Sequence, residues 1–398
     1  MASIVKRKDS YLIRVSCGYD VNGRKITQST TWHPDPKKTA RTNEKALQRF
    51  AMEFEDKCKG LQQSSRLKFQ ALAEEWFKNY AEKQLKERTL ERYLQLKERT
   101  YKAFGHMWLD KITPRVVQNF INDLGKDGVN QRTGGKLSPK TIKHYVSFVS
   151  TIFDYAVKMR VINDNPCNYV STPKIPHEEM GTYTIEEVQQ ILSLLPTAPI
   201  KYRVFITLAI YTGFRRGELL GLEWKDIDFD TNIISIRRNA LYSARIGSYT
   251  DSPKTKKSAR SLKMQDEVME LLKEYKEEQL LQQSRVGDQW QTTDRLFTTW
   301  NGKPMNGTAP YSWFKKFCDK NGFRFLNLHS FRHFNASLMI YCGVNMKEVS
   351  ASMGHSQTST TYEIYGHTFD IINARAMDAV ATPLKITESK NNTIKKQA

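Results

Sequence analysis

The stretch NPCNYVSTPKIP (165–176) carries three prolines and no hydrophobic periodicity, so neither a helix nor a strand can run through it. A second uncommitted stretch, LQQSSR (61–66), reads as a linker. Together they cut 398 residues into three segments, each long enough to bury a core of its own. No repeat of solenoid period is visible.

The first segment alternates in the strand period. SYLIRVSCGYD is followed by the turn VNGRK, where Asn22-Gly23 is a strong hairpin signal, and then by ITQSTTWHP. TNEKALQRFAMEFEDKCK (42–59) places Ala46, Phe50 and Phe54 on one helical face, with Thr42 or Asn43 as its cap. Residues 1–60 hold 13 Lys and Arg against 7 Asp and Glu. Arg14, Arg24 and Lys25 beside Tyr11 and Tyr19 suit a sheet face laid on DNA, with a solvated charged module as the alternative.

The second segment is helical. KFQALAEEWFKNYAEKQLKERTLERYLQLKERTYKAF reads as helix throughout, and TPRVVQNFINDLGK opens with Thr113 as cap and Pro114 at the first helical position. LSPKTIKHYVSFVSTIFDYAVKMRVI opens with Ser138 and Pro139, then runs an apolar stripe through Ile142, Tyr145, Phe148, Ile152 and Ala156. A four-helix unit is implied. Stripes of this kind form core, so only the first-turn residues Lys140, Lys143 and His144 are candidates for phosphate contact.

From Thr182 onward the signals mix. A capped helix TIEEVQQILSLLP, an apolar helix KYRVFITLAIYTGF and a helix start RRGELLGL precede the strands NIISIRR and RSLKM. Helical patterns then continue to about residue 380, and the end, ITESKNNTIKKQA, is polar.

Charge decides the partner class. The chain has 62 Lys and Arg against 42 Asp and Glu, a formal charge of +20, and the cations are spread along its whole length. That distribution favours several domains lying along one polyanion, and nucleic acid leads over anionic membrane or acidic protein. No apolar run approaches the roughly 18–20 residues needed to cross a bilayer, and MASIVKRKDS lacks the apolar core of a signal peptide. A cytoplasmic protein without membrane contact is expected. Cys17, Cys58, Cys167, Cys318 and Cys342 are never spaced as C-x-x-C and read as reduced thiols.

Four of the eight histidines fall between 329 and 367. His329 and His333 stand four apart in HSFRH, a spacing that suits Zn²⁺ on a helix face, but no H-E-x-x-H glutamate accompanies them and Arg332 opposes a cation. Phosphate fits better. His329 and Arg332, three apart, point the same way on a helix, as proton carrier and oxyanion clamp. Far upstream, YTGFRRGELLGLEW offers Arg215 and Arg216, with Glu218 able to orient the guanidinium of Arg215 or simply to form a structural ion pair with it. No G-x-x-x-x-G-K-[ST] loop, G-x-G-x-x-G turn or serine elbow is present, which leaves nucleotide-triphosphate and serine-hydrolase chemistry without support. A phosphodiester can still be cleaved by a side-chain oxygen if bidentate arginines neutralise the five-coordinate phosphorus. A phenol near pKa ~10 serves there as both attacker and leaving group.

YTGFRRGEL, SPKTKKSARSL, LHSFRHFNASLMI and MGHSQTSTTYEIYGHT occur in the order and approximate spacing of the tyrosine recombinases. The chain resembles the integrases of temperate phages and of conjugative transposons of Gram-positive bacteria over essentially its whole length. The fold this implies is multidomain α+β. An arm-site DNA-binding domain (1–60) has a small three-stranded sheet plus a helix. A four-helix, SAM-like core-binding domain (66–172) follows, then a mainly helical catalytic domain (178–385) with a small antiparallel sheet, and a polar tail (386–398).

Carried over position by position, the resemblance assigns Arg215 and Arg332 to the scissile phosphate and Lys254 to protonation of the departing 5′ oxygen. Lys256 and Lys257 beside it are read as solvated or as contacts to the DNA backbone. His329 assists deprotonation of the nucleophile, His355 is the second active-site histidine, Glu218 supports them, and His333 is structural. The family's nucleophile stands nine or ten residues after the G-H histidine and is followed by x-His. Tyr365, ten after His355 in YGH, fits, whereas Tyr362 reads as packing and His367 as a flank. The only small departure is MGHS in place of the commoner leucine-glycine version.

The resulting expectation is a recombinase that integrates and excises a mobile element through a 3′-phosphotyrosine and a four-way junction, with no metal or nucleotide cofactor. Its partners would be double-stranded DNA at core and arm sites, further copies of the chain in a synaptic tetramer, and an excisionase or host DNA-bending protein. The segment FDIINARAMDAVATPL (369–384) would dock on a neighbouring protomer or pack in cis. A non-catalytic DNA-binding regulator and a metal-dependent nuclease or transposase are the rival readings.

Overall fold

The computed structural model describes residues 2–19, 23–59, 67–176, 181–251 and 260–354. The chain divides into two units, Met1–His177 and Glu178–Ala398.

Strand alternation at the start of the first unit yields an antiparallel sheet in the order β1 (Ser3–Arg7), β2 (Ser10–Tyr19) and β3 (Lys25–Trp32). Ile13 and Val15 point inward, and Ile13 packs on Leu47 and Ala51 of α1 (Ala40–Lys59). Period 2 then puts Arg14 and Ser16, with their partners Ser29 and Thr27, on the opposite, exposed face. The cap of α1 differs from expectation. Thr39 Oγ1 accepts the Thr42 amide, so the helix starts two residues earlier, while the side chain of Asn43 is taken up by the carbonyls of Asp35 and Lys38. The apolar face is centred on Leu47 and Ala51, with Ala46, Phe50 and Phe54 half-buried on its flanks.

The long helical run of the second segment is broken in two. Helix α2 (Phe69–Trp76) continues through a π-helical turn, Phe77–Ala81, and a last turn, Glu82–Gln84; Leu85 is extended, and α3 (Glu87–Thr100) ends in a second π-helical turn, Tyr101–Gly105. The break has a physical reason. The apolar positions Phe69, Leu72, Trp76 and Phe77 can share one core with Leu90, Leu96 and Phe104 only if the chain folds back between them. Helices α4 (Pro114–Leu124) and α5 (Pro139–Lys158) complete this core. Ser138 caps α5 by accepting the Thr141 amide, whereas Thr113 makes no side-chain cap on α4. All five residues of the expected stripe on α5 are buried.

In the second unit, α6 (Ile185–Leu194) begins with a capping box between Thr184 and Glu187. Helix α7 (Ile200–Thr212) is apolar around its circumference and lies at the centre of the core with Val204, Phe205, Ile206 and Leu208 buried. After the short α8 (Arg216–Leu220) the chain forms β4 (Ile227–Asp228), β5 (Ile233–Ile236), a hairpin of β6 (Asn239–Ser243) and β7 (Gly247–Asp251), and β8 (Arg260–Lys263). β5 lies between β4 and β8, all antiparallel, and the β6–β7 hairpin is a separate ladder that the sequence pattern did not announce. Helices α9 (Asp266–Val286), α10 (Thr308–Asn321), α11 (His329–Tyr341) and α12 (Met346–Met353) follow. Among the described residues no helix is long and apolar enough to cross a membrane.

Candidate active site

Helix α7 ends at Gly213 in the left-handed region, with φ 61°. A side chain would be strained there and would also meet Asn335 Oδ1 and Met353 Cε, each 2.9 Å from an added Cβ. The turn delivers buried Phe214 and then Arg215, which sits extended as the N-cap of α8. Glu218, three residues on, accepts the Arg215 amide at Oε2 (2.9 Å) and Arg215 Nη1 at Oε1 (2.8 Å). The side chain of Glu218 is 7% exposed and that of Arg215 is 39% exposed, so the pair is anchored at its carboxylate end and open at its cationic end.

Arg260, the first residue of β8, occupies the other side of the same carboxylate, with Nη2 2.8 Å from Glu218 Oε2. Its guanidinium lies 4.9 Å from the centre of the Phe214 ring. Burial alone would raise the Glu218 carboxyl. The hydrogen bonds and charge of Arg260, then the amide and charge of Arg215, hold it below the usual carboxylate range.

Arg332, in the first turns of α11, is 2% exposed. It donates from Nη1 to the carbonyl of Gly213 (2.8 Å) and from Nη2 to the carbonyl of Met353. Both acceptors lie at helix C-termini, those of α7 and α12, where unpaired carbonyls carry partial negative charge; this is how a guanidinium survives so deep in the unit. Helix α12 also ends on a left-handed glycine, Gly354 (φ 62°), whose carbonyl accepts Arg215 Nη2 at 3.4 Å. Arg215, Glu218, Arg260 and Arg332 are therefore gathered around two glycine-capped helix ends.

His329 is the exposed first residue of α11, its amide held by Asn327 Oδ1 at 2.8 Å. The expected common orientation of His329 and Arg332 is only partly realised, because the imidazole stays at the surface while the guanidinium turns inward. His333 is buried, its ring edge-on to His329 at 4.8 Å, and burial followed by the charge of Arg332 pushes its pKa down. Among the described residues no group of three or more His, Cys, Asp or Glu could hold a metal ion. Lys254, Lys256, Lys257, His355, Tyr362, Tyr365, His367 and the segment 369–384 lie outside the described residues.

The β6–β7 hairpin is mounted directly on α8. A Cβ added at Gly217 would stand 2.0 Å from Asn239 Oδ1 and 2.9 Å from the Ala240 carbonyl, so only glycine lets the strand come this close. At the hairpin base Arg238 pairs with Asp226 and Glu223, while Arg295 donates to the Gly221 carbonyl and to Thr250 Oγ1. Neither this network nor Arg260 was singled out from sequence. The available signal for Arg260 was its place as first residue of the expected strand RSLKM.

In the first unit Arg14 and Lys25 are exposed on the open face of the sheet, opposite the Ile13 side, and Arg24 precedes β3. Lys140 and Lys143 are exposed at the start of α5. His144 is half-buried, its pKa lowered by burial, then by Arg92 and Lys140.

A left-handed glycine turn, an Arg–Glu pair at a helix start and a second arginine on a later helix converge in a helical domain with a small antiparallel sheet. Residues 182–370 match the Phage integrase family, and residues 68–125 match the N-terminal SAM-like domain of phage integrases. The chain is 29% identical to the ICEBs1 integrase of Bacillus subtilis over 66% of its length and 68% of the relative's. It is 30% identical to a XerC-like tyrosine recombinase of Caldanaerobacter subterraneus over 67% and 69%. The solved Tn1549 transposon integrase in complex with transposon right end DNA shares the fold, with a TM-score of 0.64 and 22% identity over 79% of this chain and all of that one. The chain belongs to the phage integrase family of tyrosine recombinases and is a site-specific DNA recombinase.

Proposed function

We propose that Tyr365 is the nucleophile of this recombinase and that Arg215 and Arg332 bind the scissile phosphate. The phenolic oxygen of Tyr365 bonds to phosphorus, the bond to the 5′ oxygen breaks, and Lys254 supplies the proton that the leaving oxygen takes up. A 5′ hydroxyl from the partner duplex then attacks the 3′-phosphotyrosine, releasing the tyrosine and conserving the bond energy without metal or nucleotide. His329 takes the phenolic proton, and His355 donates to a phosphate oxygen. The observation that carries this reading is that Arg332 and Arg215 both bond the backbone at Met353–Gly354, immediately before His355.

Recombination of two duplexes exchanges four strands, each needing a tyrosine, so four copies of the chain act together on DNA. Residues 1–60 bind arm sites through Arg14, Arg24 and Lys25. Residues 66–172, through Lys140, Lys143 and His144, share the core site with 178–385. The reaction integrates and excises a mobile element, assisted by an excisionase or a host DNA-bending protein, and residues 369–384 dock on the neighbouring protomer. Incubation with nicked duplexes in EDTA, followed by peptide mapping and sequencing of the trapped DNA, tests the assignment. A covalent adduct at Tyr365 is expected; a metal requirement, or linkage to another residue, would refute it.

A further inference from the structure

We propose that Arg260 is a positioning residue for strand cleavage, fixing the Arg215 guanidinium through the carboxylate they share. The inference rests on the recombinase reading of Arg215.

The geometry is that of a relay. Glu218 Oε2 accepts Arg260 Nη2 and the Arg215 amide; Oε1 accepts Arg215 Nη1 at 2.8 Å and Arg260 Nη1 at 3.3 Å. With four donors on two oxygens, the carboxylate has one orientation available, and Arg215 inherits it. Arg260 is itself held rigidly. Its side chain is 7% exposed, the Phe214 ring covers one side of its guanidinium, and its Nη1 would lie 2.7 Å from a Cβ on Gly354. It thus touches Phe214, just before Arg215, and Gly354, just before His355.

Charge balance argues for a role beyond stability. Arg260, buried against Glu218, does more than the more exposed Arg215 to hold that carboxyl ionised, so the carboxylate that orients Arg215 depends on it. Arg215 and Arg260 share the Glu218 carboxylate, and the open guanidinium of Arg215 that this sharing fixes suits a phosphorus centre that gains negative charge as the fifth bond forms.

The test is single-turnover cleavage by the full chain, on a nicked duplex with the crossover sequence recovered by covalent trapping. Three versions of that duplex carry, at the scissile position, an ordinary phosphodiester, a neutral methylphosphonate or a bridging 5′ sulfur. On the phosphodiester, Arg260→Ala should slow adduct formation about 10- to 100-fold, by analogy with groups that orient the ligands of a metal. DNA binding should be unchanged. On the methylphosphonate, where less charge develops, the deficit should shrink in step with that of Arg215→Ala. In a Glu218→Gln background, Arg260→Ala should cost less than about threefold more, because the two act through one another.

Equal deficits on all three duplexes would make Arg260 merely structural. Rescue by the 5′ sulfur, a leaving group that needs no proton, would show instead that it acts on the Lys254 segment. Either result overturns the inference. If Arg260→Ala fails to fold, Arg260→Lys, which keeps the charge and loses the fork, should show the same selective rescue. Failure of the unmodified chain to form any adduct would refute the recombinase reading itself; adduct formation with Arg260→Ala at the normal rate would refute only the relay.

Discussion

Arg332 donates a hydrogen bond of 2.8 Å to the carbonyl of Gly213, 119 positions earlier in the chain. Together with its bond to Met353, this makes one side chain the meeting point of three motifs that are far apart in sequence. The same guanidinium is thereby both a fastening of the fold and a candidate phosphate ligand, whereas Arg215, more exposed and paired with Glu218, is fastened less deeply.

The two arginines should therefore separate by phenotype. Arg332→Lys, which cannot reach both carbonyls, should lower the melting temperature as well as cleavage. Arg215→Ala should lose about 3–4 kcal/mol of transition-state stabilisation, with little change in melting temperature or DNA affinity. Thermal melts beside single-turnover cleavage decide this; equal melting losses would show that burial does not distinguish them.

Glu218 sets an acid limit. Its carboxyl is held below the ordinary value of about 4.5, so the folded unit binds this proton less readily than the unfolded chain does. The stability it contributes is complete above that value and is lost as pH falls through the lower, folded one. Urea unfolding between pH 3 and 7 should show this loss in the natural chain and a flatter profile in Glu218→Gln.

Gly217→Val should be costly for a packing reason. Its side chain would collide with Asn239 and with the backbone of Ala240, forcing β6 off α8 at roughly 1–3 kcal/mol of overpacking strain. A denaturant midpoint unchanged from that of the natural chain would show that the hairpin is loosely mounted.

The open sheet face should report itself through salt. Replacing both Arg14 and Lys25 with Ala removes two cations, and the slope of log affinity for arm DNA against log salt should fall by about 1.8 if each contacts a phosphate. Fluorescence anisotropy from 50 to 200 mM salt measures it, and an unaltered slope would place arm binding elsewhere.

What was legible in sequence was whatever local chemistry determines. Ser138-Pro139 marked a helix start because a hydroxyl and a missing amide suit the first turn, and the stripe from Ile142 to Ala156 marked its buried face. Glu218 could be placed beside Arg215 because three residues on a helix bring them together. The helix break at Leu85 was illegible because nothing local demands it; it follows from two apolar stripes having to share one core. Arg260 was missed for a related reason. Its partner is 42 positions away, and spacing arguments see only neighbours along the chain. The β6–β7 hairpin escaped notice because it has few buried residues and is fixed by contact with α8 and Arg295, not by its own alternation.

The two π-helical turns, Phe77–Ala81 and Tyr101–Gly105, bear on how this bundle tolerates changes of length. Each holds more residues than an α-helical turn, and each residue shifts the phase of everything after it by about 100°. Deleting a single residue from Phe77–Ala81 would restore ordinary winding, and because the wider turn already absorbs one extra residue, Glu82 and the residues after it would keep their phase relative to Phe69–Trp76. Shortening the chain there by one residue should therefore be better tolerated than the same deletion within Phe69–Trp76, which would turn everything after it by about 100° away from its core contacts.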